Sequence, residues 1–137
     1  MQNNILKIGI VGARKRHTEN DKELLRKALK QLLERSVEAK INVVLVSGGA
    51  HAGADRFAEE LAQELNLPIE VYKPVLNDHT ASKQEYVVAC FARNTTIAQQ
   101  SDILLATPNL DKDGTPFGGT ADTIRKAKAL NKLVMIL

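Results

Sequence analysis

Five short apolar runs separated by segments of helical period constrain this chain more than anything in its composition. The runs are Ile5 to Val11, Ile41 to Val46, Ile69 to Tyr72, Asp102 to Ala106 and Leu133 to Leu137. They are short and mostly apolar, with β-branched residues, and the first two read as central, buried strands. Between them lie helical patterns: Leu24, Leu25, Ala28, Leu29, Leu32 and Leu33, continuing to about Val37; Phe57, Ala58, Leu61, Ala62 and Leu65 over Ala54 to Leu65; Val87, Val88, Phe91 and Ile97 over Lys83 to Gln100; and a last helix from about Gly119 to Leu130. Thr18 with Asp21 three residues on predicts the start of the first helix. Lys73 to Ser82 and Thr107 to Gly118, rich in Pro, Gly, Asn and Asp, read as loops.

Strands that alternate with helices are joined by right-handed crossovers and form a parallel sheet with helices on both faces. The expected fold is therefore a three-layer α/β domain spanning residues 1–137, with five parallel strands in the order 3-2-1-4-5. The order reverses between strands one and four, and ligands of such sheets bind there, at the carboxyl ends.

Four short signatures fall at that edge. They are Gly12-Ala13-Arg14 after strand one, Ser47-Gly48-Gly49 with Gly53-Ala54-Asp55 after strand two, Arg93-Asn94 in the third helix, and Gly118-Gly119-Thr120 before the last helix. Glycines let backbone N–H groups approach an anion, and a helix N-terminus adds positive potential behind them. Ser47 and Thr120 add hydroxyls, and Arg14 and Arg93 add cations suited to phosphate. Lys15 and Arg16 reach the same edge. Asp55 and Asp122 read as carboxylates of the first turns of their helices, Asp122 as a cap. The glycines at 48, 49 and 53 do not make the dinucleotide G-x-G-x-x-G pattern, and no Gly-Lys-Ser/Thr follows as in a Walker loop.

Bulk properties narrow the class. A 137-residue chain that is 44% hydrophobic can bury one core without staples. No apolar run approaches the roughly 20 residues needed to span a bilayer, and Met1 to Asn4 lead into a strand without a leader pattern, so a cytoplasmic protein is expected, with no membrane partner. The net charge of +3 suits an anionic ligand without requiring nucleic acid. The single cysteine, Cys90, falls in a helical apolar pattern and is expected to be buried. His17, His51 and His79 have no metal-ligand spacing and read as polar loop residues, so no metal site is expected. No Ser-His-Asp order or paired-carboxylate motif stands out, and no catalytic residue is assigned.

Taken together, Gly-x-Arg after strand one, S-G-G-A-x-x-G-A-D-R-x-A after strand two, the Arg-Asn pair and G-T-A-D resemble the SLOG superfamily, within it the YspA/YpsA-related group. The resemblance runs from Ile8 to about Met135. It implies a Rossmann-like fold that binds a nucleotide or a nucleotide-derived ligand, NAD-related compounds included, in a sensing or carrier role, and pairing into a homodimer. It carries over to Gly12, Arg14, Ser47, Gly48, Gly49, Gly53, Asp55, Arg93, Asn94, Gly119 and Thr120. Two relatives frame the alternatives. Cytokinin-activating phosphoribohydrolases, which cleave an N-glycosidic bond, carry P-G-G-x-G-T-x-x-E; here Pro116 to Thr120 is similar, but Thr123 stands at the glutamate. DprA-type proteins, which load single-stranded DNA, share the serine-glycine turn and an Arg-Asn pair. Of the five aromatics, Phe57, Tyr72, Tyr86 and Phe91 are expected on core faces, leaving Phe117 as the ring beside the pocket. In the YspA-like pattern a tryptophan often follows strand three, where this chain reads Lys73-Pro74-Val75-Leu76.

Overall fold

The sheet is built outward from β1 (Ile5–Gly12), whose apolar side chains alternate between two separate cores. The computed structural model describes residues 4–76 and 82–137. After β1 come α1 (Glu19–Glu38), β2 (Asn42–Ser47), α2 (Ala54–Glu64), β3 (Ile69–Val71), α3 (Lys83–Gln100), β4 (Ile103–Thr107), β5 (Asn109–Leu110), β6 (Pro116–Phe117), α4 (Gly119–Ala129) and β7 (Leu133–Ile136). The main sheet is parallel throughout, in the order β3-β2-β1-β4-β7. This is the expected order, with β7 in the fifth place. Ile8 pairs with Leu45 on one side and Ile103 on the other, so β1 is flanked on both edges.

Burial on both faces explains the apolar runs. Ile8, Ile10, Leu45 and Leu105 pack under Leu25 and Leu29 of α1 and Phe57 and Leu61 of α2. On the other face Val11, Val46, Leu104 and Ala106 pack under Ile97 and Ala98 of α3 and Ile124 and Ala127 of α4. Helices on both faces of an open parallel sheet make this a Rossmann-like fold. Among the described residues no helix is long and apolar enough to cross a membrane.

The structure corrects the sequence reading at three places. Within the expected Thr107–Gly118 loop, β5 and β6 pair as a short antiparallel hairpin. Its turn is closed by Asp111, whose Oδ1 accepts the N–H groups of Asp113 and Thr115 at 2.8 and 3.0 Å. Second, Val87, Val88 and Phe91 of α3 are exposed rather than core; Asn94, Ile97 and Ala98 are its buried residues. Third, α3 opens on a capping box from Ser82 and Glu85, an S-x-x-E signal passed over in the sequence. Residues 77–81 of the expected Lys73–Ser82 loop, His79 among them, lie outside the described residues.

The Thr18–Asp21 box is formed as expected, and Asp21 does more than cap α1. Arg16 donates to Asp21 Oδ1 from Nε at 3.1 Å and Nη2 at 2.9 Å, and its Nη1 donates to the carbonyls of Pro108 and Leu137 at 3.2 and 2.7 Å. One guanidinium thus ties the exit of β1 to the exit of β4 and to the last residue. Arg16 is consumed by this task and does not reach a ligand edge. Burial pushes the Asp21 carboxyl up, but the hydrogen bonds from Arg16 and Thr18 outweigh it and hold the group below the ordinary carboxylate range.

Asp21→Asn is expected to cost about 1–3 kcal/mol at neutral pH, the value of a buried charge-assisted hydrogen bond. Because the folded pKa is depressed, this stabilisation is complete above about pH 4 and is lost as pH falls through the lower folded value. Denaturation midpoints of the two proteins should differ at neutral pH and converge in acid; parallel acid limbs would exclude Asp21 as the responsible group.

Candidate functional site

Where β1 and β4 diverge, a cleft of about 710 Å³ opens at the carboxyl edge, on the side of the sheet that α3 and α4 cover. Gly12, Arg14 and Lys15 line it from the β1 turn, Ala50 and Asp55 from the β2 turn, and Gly118, Gly119 and Thr120 from the start of α4. Helix α3 supplies one wall, including Arg93 and Asn94, and Asn109 and Phe117 of the hairpin supply another. Of the residues singled out in the sequence, Ser47, Gly48, Gly49 and Gly53 do not line this cleft.

Those four serve the packing of the β2 turn. Ser47 is fully buried; its Oγ lies 3.5 Å from the Asp55 carbonyl oxygen and accepts the Gly49 N–H at 3.4 Å. Gly53 has φ +72°, and a Cβ there would meet the Ala13 carbonyl oxygen at 2.6 Å, so glycine is what lets the β1 and β2 turns touch. Gly48 makes room for Arg93: a Cβ would stand 2.5 Å from Arg93 Nη1. Asp55 acts as the structural carboxylate expected, its Oδ2 accepting the Ala50 N–H at 3.0 Å.

Arg93 and Asn94 form a relay between the β2 turn and α4. Arg93 donates from Nη1 to the Gly48 carbonyl at 2.7 Å and from Nε to Asn94 Oδ1 at 3.0 Å. Asn94 is buried and donates from Nδ2 to the Gly119 carbonyl and to Asp122 Oδ2, each at 3.3 Å. Asp122 is not a cap, contrary to the sequence reading. Its carboxylate is held by Asn94, by Lys126 Nζ at 2.9 Å and by Arg125 at 3.6 Å.

The start of α4 is therefore free. Its N-cap is Gly118, with no side-chain cap hydrogen bond. Nothing lies within 4 Å of where a Cβ would stand on Gly118 or Gly119. Among the described residues the Thr120 hydroxyl has no hydrogen-bond partner, and Arg14 and Lys15 have no ion pair. The unpaired N–H groups of a helix start carry partial positive charge. An open helix start beside these cations favours a negative group.

Sequence reasoning missed the α3 wall. Tyr86, Val87, Cys90 and Phe91 line the cleft together with Arg93, Asn94 and Ile97. Cys90 is half-buried on this wall rather than in the core. Tyr86 and Phe91, expected on core faces, are 41% and 45% exposed, while Phe57 is buried and Tyr72 donates its hydroxyl to Glu70 at 2.9 Å. The lengths carried a signal. An 18-residue helix runs about 27 Å, whereas the five-residue β4 runs about 17 Å. The surplus projects past the sheet, and every residue from Ser82 to Val88 is exposed. His17 and His51 are exposed and do not line the cleft.

Fold and cleft together define a Rossmann-like α/β protein with an open cleft at the switch point of its sheet. A model of the YspA, cpYpsA-related SLOG family (YAcAr) matches residues 10–79, just over half of the chain, and the chain belongs to that family. No curated protein and no solved structure matches it significantly. The matched stretch holds the β1 and β2 turns; the Arg93–Asn94 relay and the α4 start lie beyond it and are joined to it through Gly48.

Two glycine positions with opposite surroundings give a test. Gly53→Ala is expected to cost about 1–3 kcal/mol through its positive φ and the Ala13 contact. Gly119→Ala, in a helix with open space around it, should be neutral or stabilising by up to about 1 kcal/mol. Urea unfolding of both variants checks the pair; equal costs would contradict the assignment of Gly53 to packing and Gly119 to an open edge.

Proposed function

We propose that the protein binds a phosphorylated nucleotide, or a ligand derived from one such as an NAD-related compound, in this cleft and does not turn it over. The observation that carries the reading is the uncapped start of α4, open to the cleft with Gly118, Gly119 and the Thr120 hydroxyl around it. Membership of the SLOG family supports a nucleotide-related ligand in general terms. In this reading the phosphate sits on the α4 N–H groups and Thr120, with Arg14 and the remaining guanidinium N–H groups of Arg93 offsetting its charge. All the residues it needs come from one chain, so a homodimer is compatible with it but not required by it.

Hydrolysis of an N-glycosidic bond is the weaker reading because, among the described residues, the cleft offers no free carboxylate for it. Asp55 and Asp122 line the cleft, and both are engaged, Asp55 with the Ala50 N–H and Asp122 with Asn94 and Lys126. Thr123 is 1% exposed, and its hydroxyl lies 3.4 Å from the Gly119 carbonyl. A buried threonine cannot supply the acid–base chemistry of a glutamate.

Nucleoside monophosphates should raise the melting temperature with the logarithm of ligand excess over Kd, and the matching nucleosides should raise it far less. Thr120→Val should weaken binding about 10- to 100-fold without lowering the melting temperature of the free protein, the loss of one hydrogen bond to a charged group. Chromatography of the ligand after long incubation should return it intact. Equal shifts from nucleoside and nucleotide would remove the phosphate assignment, and release of free base would make the protein a hydrolase. Oligonucleotide affinity falling steeply with log salt, with no mononucleotide binding, would point to a single-strand binder instead.

A further inference from the structure

The wall of the cleft changes character along α3. Its cleft-facing stripe runs Val87, Cys90, Phe91 and Asn94, spaced as one face of a helix. The polar end, Asn94, touches the α4 start through the Gly119 carbonyl. The apolar end lies about 5–10 Å up the helix axis, taking 1.5 Å per residue from Asn94 to Phe91 and Val87. That is roughly the offset of a sugar ring between a phosphate and the group it carries. At this end three aromatic rings line the cleft with much of their surface open: Tyr86 and Phe91 on α3, and Phe117 on the hairpin at 51% exposure. Phe91 is fixed by Lys126, whose Nζ lies 5.5 Å from the ring centroid and donates to the Phe91 carbonyl at 2.9 Å.

Exposed aromatic rings at a cleft mouth are costly to leave in water, and a flat π-system covers them well. Among the described residues, the apolar end of the wall has few side chains that read a base edge: the Tyr86 hydroxyl and, on the hairpin, the Asn109 amide. We propose, resting on the nucleotide reading above, that the base is held by stacking against Phe117 and the Tyr86–Phe91 wall, so the protein takes purine nucleotides with little discrimination between adenine and guanine. Stacking is tolerant because every base has a π-face, and larger purines gain more from it than pyrimidines. A site that reads base edges by hydrogen bonds would instead reject the wrong base by about 10⁴-fold.

Calorimetric titration with adenosine, guanosine, cytidine and uridine 5′-monophosphates and with ribose 5-phosphate separates the two claims. The expected result is that the two purine nucleotides bind within about tenfold of each other, the pyrimidines more weakly, and ribose 5-phosphate about 5- to 100-fold more weakly than either purine nucleotide. Phe117→Ala should bring both purine nucleotides toward the ribose 5-phosphate affinity and leave ribose 5-phosphate itself unchanged, while Phe117→Trp should restore purine binding. A preference above about 100-fold between adenine and guanine, abolished by Tyr86→Phe or Asn109→Ala, would overturn stacking in favour of edge reading. Ribose 5-phosphate binding as tightly as the nucleotides would overturn the base site and leave the phosphate site standing. No binding of any of the five would remove both.

Discussion

The hydrogen-bonded relay from the Gly48 carbonyl through Arg93 and Asn94 to Gly119 and Asp122 is the contact on which the candidate site depends. Two loops that follow different strands can drift relative to each other unless something spans them. Here the span is a guanidinium and a buried amide, with contacts of 2.7 to 3.3 Å. The amide has a second consequence. Asp122 sits in the first turn of α4, where a free carboxylate would fold over the exposed N–H groups and neutralise them. Asn94 and Lys126 engage it where it lines the cleft, which offsets part of its charge at the helix start.

The same relay explains the division of labour between the two glycine turns. In the β2 turn, the missing side chains are filled by neighbours: Arg93 over Gly48 and the Ala13 carbonyl against Gly53. In the α4 turn they are filled by nothing. Glycine serves close packing in one and access in the other, and only the second leaves N–H groups for a ligand. The β2 turn anchors Arg93 through the Gly48 carbonyl.

Much of this fold is legible in the sequence because its signals are long-range and repetitive. Runs buried on both faces, helical stripes and their alternation fix the sheet and its order, with boundaries shifted by a residue or so, as at Asn42–Ser47 and Ile103–Thr107. What escaped was of two kinds. The hairpin strands have two residues each, too few to show a period. The α3 stripe of Val87, Cys90 and Phe91 has the right period, but periodicity reports an apolar face without saying whether protein or ligand covers it. The candidate residues at the edge were recognisable by type and place. Which of them face the cleft depended on neighbours distant in sequence, as Gly48 depends on Arg93.

A helix that overshoots its sheet resolves the ambiguity of that stripe. Its last half is held by Ile97 and Ala98 in the core and needs no ligand for stability. Its first turns, Ser82 to Val88, are exposed, yet it starts on a fully formed capping box from Ser82 and Glu85 that fixes where the helix begins. A helix capped beyond the support of its sheet holds a rigid apolar surface above the α4 start, next to a hairpin that brings Phe117 to the same space. In the proposed reading, the exposed rings on one side and the unpaired N–H groups on the other receive a ligand that is aromatic at one end and anionic at the other. The two ends of the cleft are coupled through one side chain, because Lys126 both holds Asp122 at the α4 start and donates to the Phe91 carbonyl, so its substitution should disturb both.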